Sequence, residues 1–118
     1  MKVHDSELKV LEALWSGGPK TASAIAGELK DSTGWSRNTT YTILKRCVEK
    51  GLIRRDEPKF LCTPLVSRED VRATETDELI DRMYDGSRSR FFAALLSSDK
   101  LTESELQELR ALIDGRRR

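Results

Sequence analysis

The stretch from Ser36 to Gly51 constrains this chain more than any other. Ser36 is a hydroxyl residue of the kind that caps a helix by accepting a first-turn backbone N–H, and Gly51 supplies the left-handed position on which helices commonly end. Between them Thr40, Ile43, Leu44, Cys47 and Val48 recur at i, i+3, i+4, i+7 and i+8, the spacing of one helical face. This predicts a helix from Ser36 to about Lys50 with an apolar side turned to a core. The other side carries Arg37, Asn38, Tyr41, Thr42, Lys45 and Arg46, with a single acid, Glu49, nearby. Such a face suits an anionic partner, although a polar helix face is more often merely solvated, so its neighbours must decide.

The segment that follows cannot stand by itself. Leu52 to Asp56 reads as extended, Glu57-Pro58 as a turn, Lys59 to Thr63 as a returning strand, and Pro64 as its breaker. Two strands on a tight turn are not stable alone in water and must pack on helices. Two helices precede. Asp5 to Trp15 places Leu8, Val10, Leu11, Leu14 and Trp15 at spacings of three and four and is stopped by Gly17-Gly18-Pro19. Thr21 caps a short helix from Ala22 to Leu29, and Asp31 to Gly34 reads as a turn. Three helices and then a hairpin is the order of a winged helix-turn-helix, which residues 1–66 are expected to form.

Residues 67–118 read as a helical arm. Ser67 and Asp70 make a capping box for a fourth helix running to about Tyr84 and ending at Gly86; Ser89 to Leu96 is a fifth; Thr102 and Glu105 make a capping box for a sixth. These helices carry Leu79, Ile80, Met83, Tyr84, Phe91, Phe92, Leu95, Leu96, Leu106, Leu109, Leu112 and Ile113. That is more apolar surface than so thin an element can bury within itself, so a second copy of the chain is the expected cover, with packing onto the first 66 residues as the alternative. The fold class expected is therefore mostly α with a small β-hairpin: a winged helix-turn-helix followed by a C-terminal helical dimerisation arm.

Charge supports this division. Up to Val66 there are 11 Lys or Arg against 8 Asp or Glu, a net of +3, and from Ser67 onward 10 against 12, a net of −2 that the terminal Arg116 to Arg118 soften. A duplex major groove admits one helix, and reading it takes side chains that reach base edges while others hold phosphates. Asn38 can pair with adenine, Arg37 or Arg46 with guanine, and the methyls of Thr39 or Thr42 can meet a thymine methyl. Lys45, Arg54, Arg55 and Lys59 suit phosphates, as do the free N–H groups opening the third helix. The expected partner is double-stranded operator DNA, bound by a homodimer on a palindrome.

Other classes find less support. At 118 residues, 37% hydrophobic and 35% charged, the chain has room for one compact domain and an appendage rather than a large catalytic cleft. No stretch approaches the roughly 20 apolar residues of a membrane helix, and the amino terminus lacks the apolar core of a secretory signal, so no membrane insertion and a cytoplasmic location are expected. No Ser-His-Asp, Cys-His, paired-carboxylate or phosphate-loop arrangement is present, which argues against an enzyme with catalytic residues or a cofactor. Cys47, Cys62 and His4 form no metal-ligand spacing, so no metal site is expected. Two rivals stay open: a winged-helix adaptor that docks a protein, and a thiol-responsive regulator in which oxidation of Cys47 disturbs the third helix.

Several motifs taken together are more specific. Asp5-Ser6-Glu7, Leu14-Trp15, Gly18-Pro19, Gly34-Trp35-Ser36, Thr39, Thr42, Leu44, Arg46, Lys50-Gly51-Leu52-Ile53 and Pro64 to Ser67, followed by Leu101-Thr102, Glu105-Leu106 and Glu108-Leu109, resemble the penicillinase-repressor (BlaI/MecI-type) family over nearly the whole chain. The resemblance implies a dimeric repressor of a β-lactamase-like or stress-response operon, of the kind tied to antibiotic resistance. It implies release of DNA when a membrane sensor metalloprotease triggers cleavage, and it turns Asn38, Thr39, Tyr41, Thr42 and Arg46 to the groove. Ala94-Leu95 stands where well-known members are cleaved. The chain departs from the family pattern at Cys47, usually Leu, at Thr40, usually Val or Ile, and in a wing shortened at Glu57-Pro58. It ends in Gly115-Arg116-Arg117-Arg118 rather than in the cysteine-rich motif of a related copper-responsive branch, so copper sensing is not expected.

Overall fold

Helix α1 (Asp5–Gly17) starts where the backbone N–H of His4, its N-cap, donates to Glu7 Oε1 at 2.9 Å, and it runs on past Trp15 until Gly18 turns out of the helix with φ 81°. The structure is a computed structural model that describes residues 2–116; Arg117 and Arg118, two of the terminal arginines counted above, lie outside the described residues. After α1 come β1 (Lys20–Thr21), α2 (Ala22–Thr33), α3 (Arg37–Glu49), β2 (Ile53–Asp56), β3 (Leu61–Pro64), α4 (Arg68–Met83), α5 (Arg88–Leu96) and α6 (Glu103–Arg116). The expected class holds: the fold is mostly helical, with a small antiparallel sheet in the order β1-β3-β2.

Local chemistry explains where elements begin and end. Thr21 Oγ1 accepts from Ala24 N and starts α2, while Ser36 Oγ accepts from Thr39 N and starts α3 as expected. Two expected boundaries move. α2 continues a turn beyond Leu29 because Asp31-Ser32-Thr33, which look like turn residues, remain helical until Gly34 takes the left-handed position at φ 78°. α5 begins at Arg88, not Ser89, because Ser87 is the cap and accepts from Arg90 N. The capping boxes of Ser67 with Asp70 and of Thr102 with Glu105 both form.

The wing also differs. β2 and β3 pair with Asp56 opposite Leu61 and Ile53 opposite Pro64, so Glu57 to Phe60 is a four-residue turn, and Lys59 and Phe60 are not part of the strand. Phe60 has a positive φ of 51°, which an extended residue cannot adopt; its ring is buried and its carbonyl accepts from Ala22 N at 2.9 Å. A third strand escaped the sequence reading: β1 pairs with β3 through Lys20 opposite Cys62 and Thr21 opposite Leu61.

The chain divides into two compact units, Met1–Glu75 and Thr76–Arg118. In the first, Leu11, Leu14, Ile25, Leu44, Leu52 and Ile53 are fully buried and Val71 from the opening of α4 joins them. Trp15 Nε1 donates to Val66 O at 2.9 Å, and Arg68 pairs with Glu12 at 2.7 Å, which fastens the start of α4 to α1. In the second unit Arg88 pairs with Asp77 at 2.7 Å, and the rings of Tyr84 and Phe91 meet edge to face at 5.6 Å. Neither α5 nor α6 contains a buried residue. Among the described residues no helix is long and apolar enough to cross a membrane.

Candidate nucleic-acid interface

Helix α3 owes its orientation to its apolar side. Thr40, Ile43, Leu44 and Cys47 are buried against the first unit's core, which leaves Arg37, Asn38, Thr39, Thr42, Lys45 and Arg46 exposed and Tyr41 half-buried. Asn38, Thr39, Thr42 and Arg46 line one shallow depression, which Ser6 from the first turn of α1 completes. The Thr42 hydroxyl donates to Asn38 O at 2.9 Å, an occupied hydroxyl that leaves the methyl for apolar contact. The side chains of Asn38, Lys45 and Lys59 are exposed and have no hydrogen-bond or ion-pair partner among the described residues.

Other predicted residues are already engaged. Arg37 donates through Nη2 to Tyr41 Oη at 2.9 Å and lies over that ring, 4.8 Å from its centre. Tyr41 meets Phe60 edge to face at 5.8 Å, and Arg55 stacks on Phe60 at 3.7 Å, so two cations and two rings run from α3 into the wing. Within the wing Arg54 pairs with Asp56 at 2.9 Å and Arg55 pairs with Glu57. The wing's two arginines are thus partly neutralised, while Lys59 has no ion-pair partner among the described residues.

Arg46 is held most firmly. Its Nε donates to Glu7 Oε2 and its Nη2 to Ser6 Oγ, both at 2.9 Å, yet its side chain keeps 43% of its exposure. Glu7 is fully buried and also accepts from Lys50 Nζ at 2.7 Å. Burial pushes its carboxyl pKa up, but the bonds from Lys50, the His4 N–H and Arg46 outweigh this and leave it lowered. The sequence reading missed Glu7, although a signal was present: it lies on the apolar row of α1 with Val10, Leu11 and Leu14, where a lone acid calls for a cationic partner.

The two thiols are buried. Desolvation raises the Cys47 thiol to about 12 and the Cys62 thiol to about 11, which disfavours the thiolate that a redox sensor needs. In the second unit Ala94 is exposed and Leu95 half-buried within α5. Leu79, Met83, Phe92, Leu96, Leu112 and Ile113 are exposed apolar side chains; Tyr84, Phe91, Leu95, Leu106 and Leu109 are half-buried; Ile80 is buried.

The profile of a family described as Penicillinase repressor matches residues 3–115. The penicillinase repressor of Bacillus licheniformis is 24% identical over 96% of this chain and 90% of its own length. The methicillin resistance regulatory protein MecI of Mammaliicoccus sciuri is 24% identical over 96% of this chain and 94% of its own. Among solved structures, the DNA-binding domain of the repressor BlaI superposes with a TM-score of 0.54 at 27% identity, covering 58% of this chain and 87% of that one. Monomeric Bacillus licheniformis BlaI in complex with the blaP half-operator gives a TM-score of 0.52 at 26% identity, covering 59% and 88%.

Proposed function

The chain belongs to the penicillinase-repressor family, whose members are transcriptional repressors and not enzymes, and from that footing we propose that it represses transcription by reading a palindromic operator as a homodimer. The observation that carries the reading is the depression on α3, where the unengaged Asn38 amide stands beside Thr39, Thr42 and the outer edge of Arg46. Asn38 takes adenine, Arg46 guanine and the threonine methyls thymine; Lys45 and Lys59 hold phosphates; Arg37, Tyr41, Arg54 and Arg55 shape and brace the contact. The complex of BlaI with its half-operator supports this use of the same fold.

The winged helix of residues 1–66 is the reading head, and residues 67–118 are the dimerisation arm. The exposed Leu79, Met83, Phe92, Leu96, Leu112 and Ile113 form the apolar surface that a second copy covers, with the half-buried Tyr84, Phe91, Leu95, Leu106 and Leu109 at its margin. The operon controlled is of the β-lactamase-like or stress-response kind. Release follows cleavage in α5 near Ala94–Leu95, triggered by a membrane sensor metalloprotease, and because that bond lies within a helix the segment has to open before a protease can take it.

Nuclease footprinting on the DNA upstream of the protein's own gene tests the core of this reading. Two protected half-sites spaced by a helical turn or a multiple of one are expected. Protection that is indifferent to sequence overturns it.

A further inference from the structure

Glu7 belongs to no predicted contact surface, yet its carboxylate accepts from both Arg46 of α3 and Lys50, the C-cap of that helix. We infer that Glu7 is a positioning residue for sequence reading: its buried carboxylate sets the edge that Arg46 presents to a base and withholds Lys50 from phosphate. The inference rests on the reading of α3 given above.

A guanidinium has five N–H donors in a planar fork on a flexible stem, and free in solvent it meets phosphates and bases alike. Here Glu7 Oε2 takes Nε and Ser6 Oγ takes one hydrogen of Nη2, each at 2.9 Å. What remains is the far end of the fork, Nη1 with the second Nη2 hydrogen, which is the pair that can meet guanine O6 and N7 together. That end belongs to a side chain lining the same depression as Asn38 and Thr42. Glu7 is fixed in turn, because Oε1 accepts from the His4 N–H at 2.9 Å and from Lys50 Nζ at 2.7 Å. Lys50 donates also to Lys2 O at 3.1 Å, so this cation is spent inside the protein. The arrangement removes two mobile cations from indiscriminate phosphate binding and returns one of them as an aimed donor pair.

The test compares the full chain and its Glu7→Gln variant on an operator duplex and on a scrambled duplex of equal length, across a series of salt concentrations. Gln keeps the shape but releases both cations. Preference for the operator should fall by about tenfold, the size of one lost base contact, while the dependence of binding on salt steepens by about one or two phosphates' worth. Unchanged preference, or an equal loss on both duplexes with the salt dependence unaltered, overturns the inference. Should Glu7→Gln fail to fold by circular dichroism, Glu7→Asp decides: it keeps the buried charge on a stem one methylene shorter that cannot hold both Arg46 Nε and Lys50 Nζ, so preference should fall and the salt dependence steepen in the same sense, and retained preference overturns the inference. A native chain without operator preference overturns the proposed function, and this inference with it.

Discussion

The two units bury their apolar residues to very different degrees. In the first, helices α1 to α3, the three strands and the opening of α4 close on a core whose largest members are fully buried. In the second, Ile80 is buried while α5 and α6 bury nothing, and Met83, Leu112 and Ile113 each expose half or more of their surface. The first unit is a finished hydrophobic object; the second has the composition of a core without its closure. Helix formation explains why it persists: its helices carry their own caps, at Ser87 and Thr102, so local hydrogen bonding is satisfied before any partner arrives. If the proposed roles hold, the first unit keeps one geometry to match a groove, and a second unit that completes its core with a second copy makes stability depend on concentration.

That contrast is open to direct attack. Leu44 is fully buried in α3, and Leu44→Ala removes its methyls from a packed site, so a loss of about 3 kcal/mol in chemical denaturation is expected. The loss should not vary with protein concentration. Leu112 is 69% exposed in α6, and Leu112→Asp should leave the melting of the first unit in place while weakening self-association by about 2 kcal/mol, roughly thirtyfold, in sedimentation equilibrium. Undiminished association would move the dimer surface away from α6, and association insensitive also to Phe92→Asp would remove it from the second unit altogether.

The sequence showed most where the physics is local. Ser36, Ser67 and Thr102 cap helices through partners three residues away, and such pairs are visible in a string of letters. The extra turn of α2 was hidden because Asp31, Ser32 and Thr33 have turn-like composition, yet the helix has no cause to stop before Gly34. β1 was hidden because Lys20-Thr21 has no alternation to read and exists as a strand through the proximity of β3. The residues and the resemblance both led to the expectation that Arg46 faces a groove, but neither said what holds it. Glu7 lies 39 residues from Arg46 and 43 from Lys50, so the clamp appears when the chain is folded, although an acid on an apolar row was the trace it left.

Thr40 left a similar trace, and it gives the smallest effect. It occupies the apolar row of α3, it is fully buried, and its hydroxyl has no hydrogen-bond partner among the described residues. The hydroxyl is thus shut away from water with no acceptor among the described residues, unlike that of Thr42, which donates to the carbonyl four residues back. Val has nearly the same shape and no such cost. Thr40→Val should therefore stabilise the first unit by about 1 kcal/mol, read as a higher denaturation midpoint with an unchanged slope. Operator preference and self-association should both stay as they are, because Thr40 faces the core and not the depression lined by Asn38 and Arg46. A destabilised Thr40→Val chain would mean that the hydroxyl has a bound water as its partner, and that the most tightly closed part of the molecule contains a polar site.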